Sequence, residues 1–86
     1  MMSKYDPLCY YLLSVNTDTV TLTFSEIERI IGDDLPPSAF TWREWWGNDV
    51  THSQAMSGWL AADWHSVLID VPGKAVTFRR MGRPRR

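Results

Sequence analysis

All five tryptophans of this 86-residue chain, Trp42, Trp45, Trp46, Trp59 and Trp64, fall between residues 42 and 64. Aromatic side chains bury roughly 150–250 Å² each and dominate the energetics of small cores, so the fold has to be assembled around this segment. A chain of this length forms one domain that buries roughly 60–65% of its unfolded surface, with no material for a second core. The indoles are read first as core, with Trp45 or Trp46 and Trp59 packed on helices and their N–H groups bonded to carbonyls. Adjacent helical residues point about 100° apart, so Trp45 and Trp46 cannot both face inward. One of them is expected at the surface, where, beside Arg43, it could stack on an unpaired base or anchor a protein partner.

Around this segment the sequence punctuates itself into short elements. Asp6-Pro7 supplies an N-cap and a first-turn proline, and Leu8, Tyr11, Leu12 and Val15 follow at helical spacing, predicting a helix over 7–15. Val20 to Thr23 alternates and is β-branched, which predicts a strand. Thr23-Phe24-Ser25-Glu26 has capping-box spacing and starts a second helix that Gly32 stops. After the rigid turn Asp33 to Ser38 a third helix is expected over 39–46. A second capping box, Thr51 to Gln54, opens a helix over 52–63 with Ala55, Met56, Trp59 and Leu60 as its inward stripe. Val67–Val71 and Lys74–Arg79 around Pro72-Gly73 predict a β-hairpin.

The expected fold class is α+β: three to four helices with a C-terminal hairpin and a short third strand. That order resembles a winged helix-turn-helix, with a tryptophan-rich insertion between Asp33 and Val50 in place of the usual short turn. On that resemblance the helix from His52 to Asp63 would be the recognition helix and Pro72-Gly73 the wing tip. The chain is also similar to an uncharacterised family of small prokaryotic domains. The shared features are K-Y-D-P-L at Lys4 to Leu8, L-T-F-S-E-I-E at Leu22 to Glu28, L-P-P-S-A at Leu35 to Ala39, W-W-G-N-D at Trp45 to Asp49, H-S-Q-A at His52 to Ala55, and W-L-A-A-D-W at Trp59 to Trp64. The likeness implies a common fold unit and brings no activity with it.

Charge is distributed unevenly. Residues 1–78 hold Lys4, Arg29, Arg43 and Lys74 against all ten acids, a net of −6, whereas 79–86, R-R-M-G-R-P-R-R, carries Arg79, Arg80, Arg83, Arg85 and Arg86 and no acid. Residues 1–78 are therefore read as one domain and 79–86 as a flexible basic tail, with residues 1–4 mobile as well. Arginine forks match phosphate geometry, and binding releases condensed counterions. Gly82-Arg83-Pro84-Arg85 resembles the core of an AT-hook, with Met81 where that motif carries arginine, implying contact with the minor groove of A·T-rich duplex. The plainer reading is a solvated terminus.

The polar side chains that most resemble a working site cluster at the start of the fourth helix: Asn48, Asp49, His52, Ser53 and Gln54, with Ser57 one turn on. Amides and hydroxyls at a helix N-terminus suit base-edge readout, although the same residues also serve as caps and turns. Catalysis is not expected. Asp49, His52 and His65 match no compact metal spacing, no phosphate-binding glycine loop is present, and Cys9 sits in an amphipathic helix as a small core residue. No cofactor or metal is predicted. A single cysteine, no apolar run of membrane-spanning length and no leader point to the cytoplasm.

Two functions follow. The first is a small DNA-binding protein, a regulator or a phage or mobile-element accessory, using the 52–63 helix and the arginine tail on double-stranded DNA. The second is a protein-binding module or inhibitor whose acidic surface mimics nucleic acid. A tryptophan patch could also close a homodimer.

Overall fold

The computed structural model describes residues 3–82. Helix α1 (Asp6–Ser14) places Leu8, Cys9 and Leu12 inward. Asp6 lies inside its first turn rather than capping it: the Asp6 carboxylate accepts from the Ser3 amide (3.2 Å), and the Ser3 hydroxyl accepts from the Tyr5 amide (3.1 Å). Lys4, expected to be mobile, is held by the Asp34 carbonyl (2.9 Å) and the Asp33 carboxylate (3.4 Å). Strand β1 (Thr19–Thr23) runs directly into α2 (Phe24–Ile31). Both halves of the expected capping box form, the Thr23 hydroxyl accepting from the Glu26 amide (3.1 Å) and the Glu26 carboxylate accepting from the Thr23 amide (2.8 Å). Gly32 ends α2 in the left-handed region at φ 70°, where glycine has no Cβ to clash.

The third helix departs from expectation. Helix α3 covers only Pro37–Thr41, the backbone turns extended at Trp42, and Arg43–Trp46 forms a separate 3₁₀ turn. The break lets Trp46 swing inward, where its indole N–H donates to the Ala39 carbonyl at 2.9 Å. The expected 52–63 helix is also irregular. Ala55–Trp59 is a π turn, with the Leu60 amide bonded to the Ala55 carbonyl, and Leu60–Ala62 is 3₁₀. The wider turn rotates the inward stripe, so Ala55, Gly58, Trp59 and Ala62 are buried while Met56 is exposed. Periodicity counted at 3.6 residues per turn could not anticipate that rotation.

Asp63, at φ 65°, turns the chain into β2 (Trp64–Asp70), and a tight turn at 71–74 returns it as β3 (Ala75–Arg80). The turn is closed by the Asp70 carboxylate, which accepts from the Gly73 amide at 3.0 Å; a Cβ at Gly73 would strike that carboxylate. The sheet is antiparallel in the order β1-β3-β2, with a bulge between Ser66 and Leu68. The domain is therefore α+β, as expected. Its helices cover one sheet face, and the indoles run through the join: Trp46 stacks on Phe24 (4.8 Å) and on Trp59 (5.9 Å), which meets Phe78 of β3 (5.3 Å).

The fold extends further along the chain than the charge pattern suggests. Arg79 and Arg80 are the last residues of β3, and the Met81 amide donates to the Asp63 carbonyl at 2.8 Å. No helix among the described residues is long and apolar enough to cross a membrane.

Candidate nucleic-acid interface

The polar cluster expected to read bases is largely consumed by the fold. Asn48 Oδ1 accepts from the Trp59 indole (3.0 Å), the Ser66 amide (2.8 Å) and the Ser66 hydroxyl (3.2 Å), while its Nδ2 donates to the Ser66 carbonyl (3.0 Å). That paired contact reproduces what a neighbouring strand would offer, and it closes the β2 edge at the bulge. Gln54 is buried and donates to the Trp45 carbonyl (3.0 Å), so the second capping box does not form. Asp49 takes its place, accepting from the amide (2.9 Å) and hydroxyl (2.7 Å) of Thr51. These bonds, led by the hydroxyl, hold the Asp49 carboxyl below the usual range.

Of that cluster only Gln54 is buried; Asn48 and Asp49 are exposed but engaged by these bonds, His52 and Ser53 are exposed, and Ser57 is half-buried. In sequence His52, Ser53 and Ser57 lie between Asp49 and Asp63, and Met56 among them is 58% exposed. Asp49, His52 and His65 do not converge, and no group of three metal-ligating side chains forms among the described residues. Trp46 is fully buried and Trp45 partly so, packed edge-on against Trp46 at 4.6 Å; the tryptophan at the surface is Trp42, 60% exposed. Arg43 is exposed.

The two described arginines of the basic stretch face opposite ways. Arg80 points to the helical side: its Nη2 donates to the carbonyls of Val15 (2.7 Å) and Thr17 (2.8 Å), its Nε lies 3.5 Å from Asp18, and its guanidinium covers the Trp64 ring at 4.8 Å. It is a structural clamp on the end of α1. Arg79 is exposed on the other face, with no ion pair or hydrogen bond from its side chain among the described residues. Arg83, Arg85 and Arg86, with the AT-hook-like core they belong to, lie outside the described residues.

Strand register defines the face on which Arg79 stands. Thr19, Arg79 and His65 form one cross-strand row, Thr21, Thr77 and Leu68 the next, and Thr23, Ala75 and Asp70 the last. The alternate rows, carrying Val20, Leu22, Val76 and Phe78, turn toward the helices and are buried or half-buried. The Thr21 and Thr77 hydroxyls bond to each other at 2.7 Å. His65 Nδ1 is buried without a partner among the described residues, as is the Trp64 indole nitrogen on the inner side. The sequence carried a signal for this face in the alternation T-V-T-L-T and A-V-T-F-R, which sets threonines and Arg79 opposite the apolar positions.

A second surface feature is a groove of about 290 Å³ between α1 and the π turn, lined by Asp6, Cys9, Tyr10, Met56, Ser57 and Ala61. Burial, with Asp6 alongside, pushes the Cys9 thiol above its ordinary range, which makes it a poor nucleophile.

A family model described as a domain of unknown function, DUF7662, matches residues 5–82. The chain belongs to that family. The DUF7662 match spans every element from α1 to β3 and includes Arg79 and Arg80, so these two arginines belong to the domain and not to an appendage. It ends just before Arg83. No curated protein and no solved structure matches the chain.

Proposed function

We propose that this DUF7662 domain is a small, winged-helix-like DNA-binding protein in which the basic stretch from Arg79 onward supplies most of the attraction to duplex phosphate. The observation that carries this reading is the contrast between the two neighbouring arginines: Arg80 is spent on the fold, whereas Arg79 stands exposed, with no partner among the described residues, a few positions before Arg83, Arg85 and Arg86 in the sequence. Arginines without protein partners can neutralise phosphates and release counterions. The element order and the β1-β3-β2 sheet support the winged-helix likeness. Because Asn48 and Gln54 are engaged by the fold, this reading does not depend on base contacts from the helical segment.

The test is a gel shift of the full chain with A·T-rich and G·C-rich duplexes over a range of salt. Binding that weakens steeply with salt supports the reading, and preference for the A·T duplex supports minor-groove contact by the AT-hook-like run. Absence of binding at low salt overturns it.

A second reading, a protein-binding module, draws on the groove between α1 and the π turn, whose rim exposes Tyr10 (61%) and Met56 (58%) above an acidic Asp6. Aromatic and methionine side chains in such a setting suit a partner helix.

A further inference from the structure

We infer that the open face of the sheet, and not the segment at 52–63, is where the folded body meets the DNA backbone, an inference that rests on the DNA-binding reading above. Charge placement carries it. The body is acidic overall, yet across the nine side chains of the outer rows the only acid is Asp70, at the hairpin end and turned to the Gly73 amide, while Arg79 and His65 share the row at the opposite end. That opposite end is where β3 hands on to the basic run. Asp18 and Asp63 border that end as well, Asp18 paired with Arg80 at 3.5 Å, whereas the helical segment begins directly after Asp49.

The chemistry of the face suits phosphate more than bases. Thr19 presents an exposed hydroxyl, the exposed Thr21 hydroxyl is shared with Thr77, and Arg79 presents a guanidinium fork with no partner among the described residues; hydroxyls and guanidinium are the donor types that position proteins on a backbone. The only aromatic ring on these rows is the His65 imidazole, whose Nδ1 is buried, and no Trp, Tyr or Phe stands beside it, so the face lacks the stacking platform that single strands use. With strands about 4.8 Å apart, three of them and their side chains are too broad to enter a major groove about 12 Å wide that admits a helix or a two-stranded ribbon. Contact is then with phosphates, and the body adds affinity without base preference.

The experiment measures duplex binding at about 150 mM salt, where the Debye length is about 8 Å and charge on the far face is screened. The full chain is compared with Thr19→Glu and Leu68→Glu on two strands of the outer face, and with Ser53→Glu and Ser57→Glu on the helical segment, with circular dichroism confirming that each variant folds. The expected result is a loss of about tenfold for each sheet variant, and no change for the helical pair. Loss confined to the helical variants, equal loss in all four, or loss in none while the full chain still binds overturns the sheet-face inference and leaves the DNA-binding reading intact. Failure of the unaltered chain to bind removes both.

Discussion

The guanidinium of Arg80 lies 4.8 Å from the centre of the Trp64 ring, while its Nη2 holds the carbonyls that follow α1. Because β3 and the end of α1 are 63 to 65 residues apart in sequence along these bonds, one side chain ties the C-terminal strand to the first helix. Replacing Arg80 with Ala removes two charge-assisted hydrogen bonds and a cation–π contact, an expected loss of about 2–3 kcal/mol. Urea denaturation should show this, and Arg79→Ala should change stability by less than about 0.5 kcal/mol. Equal stability losses for the two variants would contradict the clamp.

Asn48 is predicted to be a folding residue. Its replacement by Ala leaves the Trp59 indole and the Ser66 amide without their acceptor and reopens the β2 edge, which should cost about 2 kcal/mol. Hydrogen exchange should accelerate at Ser66 before it does in β1. A variant that keeps its stability but loses DNA binding would return Asn48 to a reading role.

The Thr23 capping box gives a smaller, local effect. Thr23→Ala should destabilise by about 1 kcal/mol. Thermal unfolding of the variant alongside Glu26→Ala tests this, since the two residues form a reciprocal pair and their effects should be less than additive.

Acidification acts through Asp33 and Asp49. The Asp34 amide first, and then Lys4, hold the Asp33 carboxyl below its ordinary value, and Thr51 does the same for Asp49. A carboxylate with a lowered folded-state pKa stabilises the fold above the ordinary aspartate value, about 3.9, and loses that contribution as pH falls through the lowered one. Unfolding followed from pH 6 downward should therefore show stability falling on the acid side of about pH 4, with a shallower fall in Asp33→Asn. An unchanged acid limb in both Asp33→Asn and Asp49→Asn would contradict these interactions.

Local signals in this sequence were legible where one residue does one job. The capping box at Thr23 and Glu26, the stop at Gly32, the hairpin turn and the α+β class could all be read from side-chain chemistry and period. What could not be read depends on contacts distant in sequence. Trp46 breaks a helix to reach the Ala39 carbonyl and Phe24, a π turn rotates Met56 outward, and Asn48 finds Ser66 eighteen residues on. Two residues of the candidate site are engaged for the same reason, because amides at Asn48 and Gln54 that could pair with a base instead pair with the backbone. Arg79 and Arg80 look identical in sequence, and only the alternation of β3 separates their roles.

The most direct test of the account is fluorescence anisotropy of a labelled duplex titrated with the full chain and with a chain ending at Gly82, which preserves β3 and the Arg80 clamp, across a salt series. The account predicts tight binding by the full chain with a log–log salt slope near −0.9 for each phosphate neutralised, and a shallower slope with weak residual binding, carried by Arg79 and the sheet face, once Arg83 to Arg86 are removed. Equal affinity and equal slope for the two chains, or no binding by either at low salt, would contradict it.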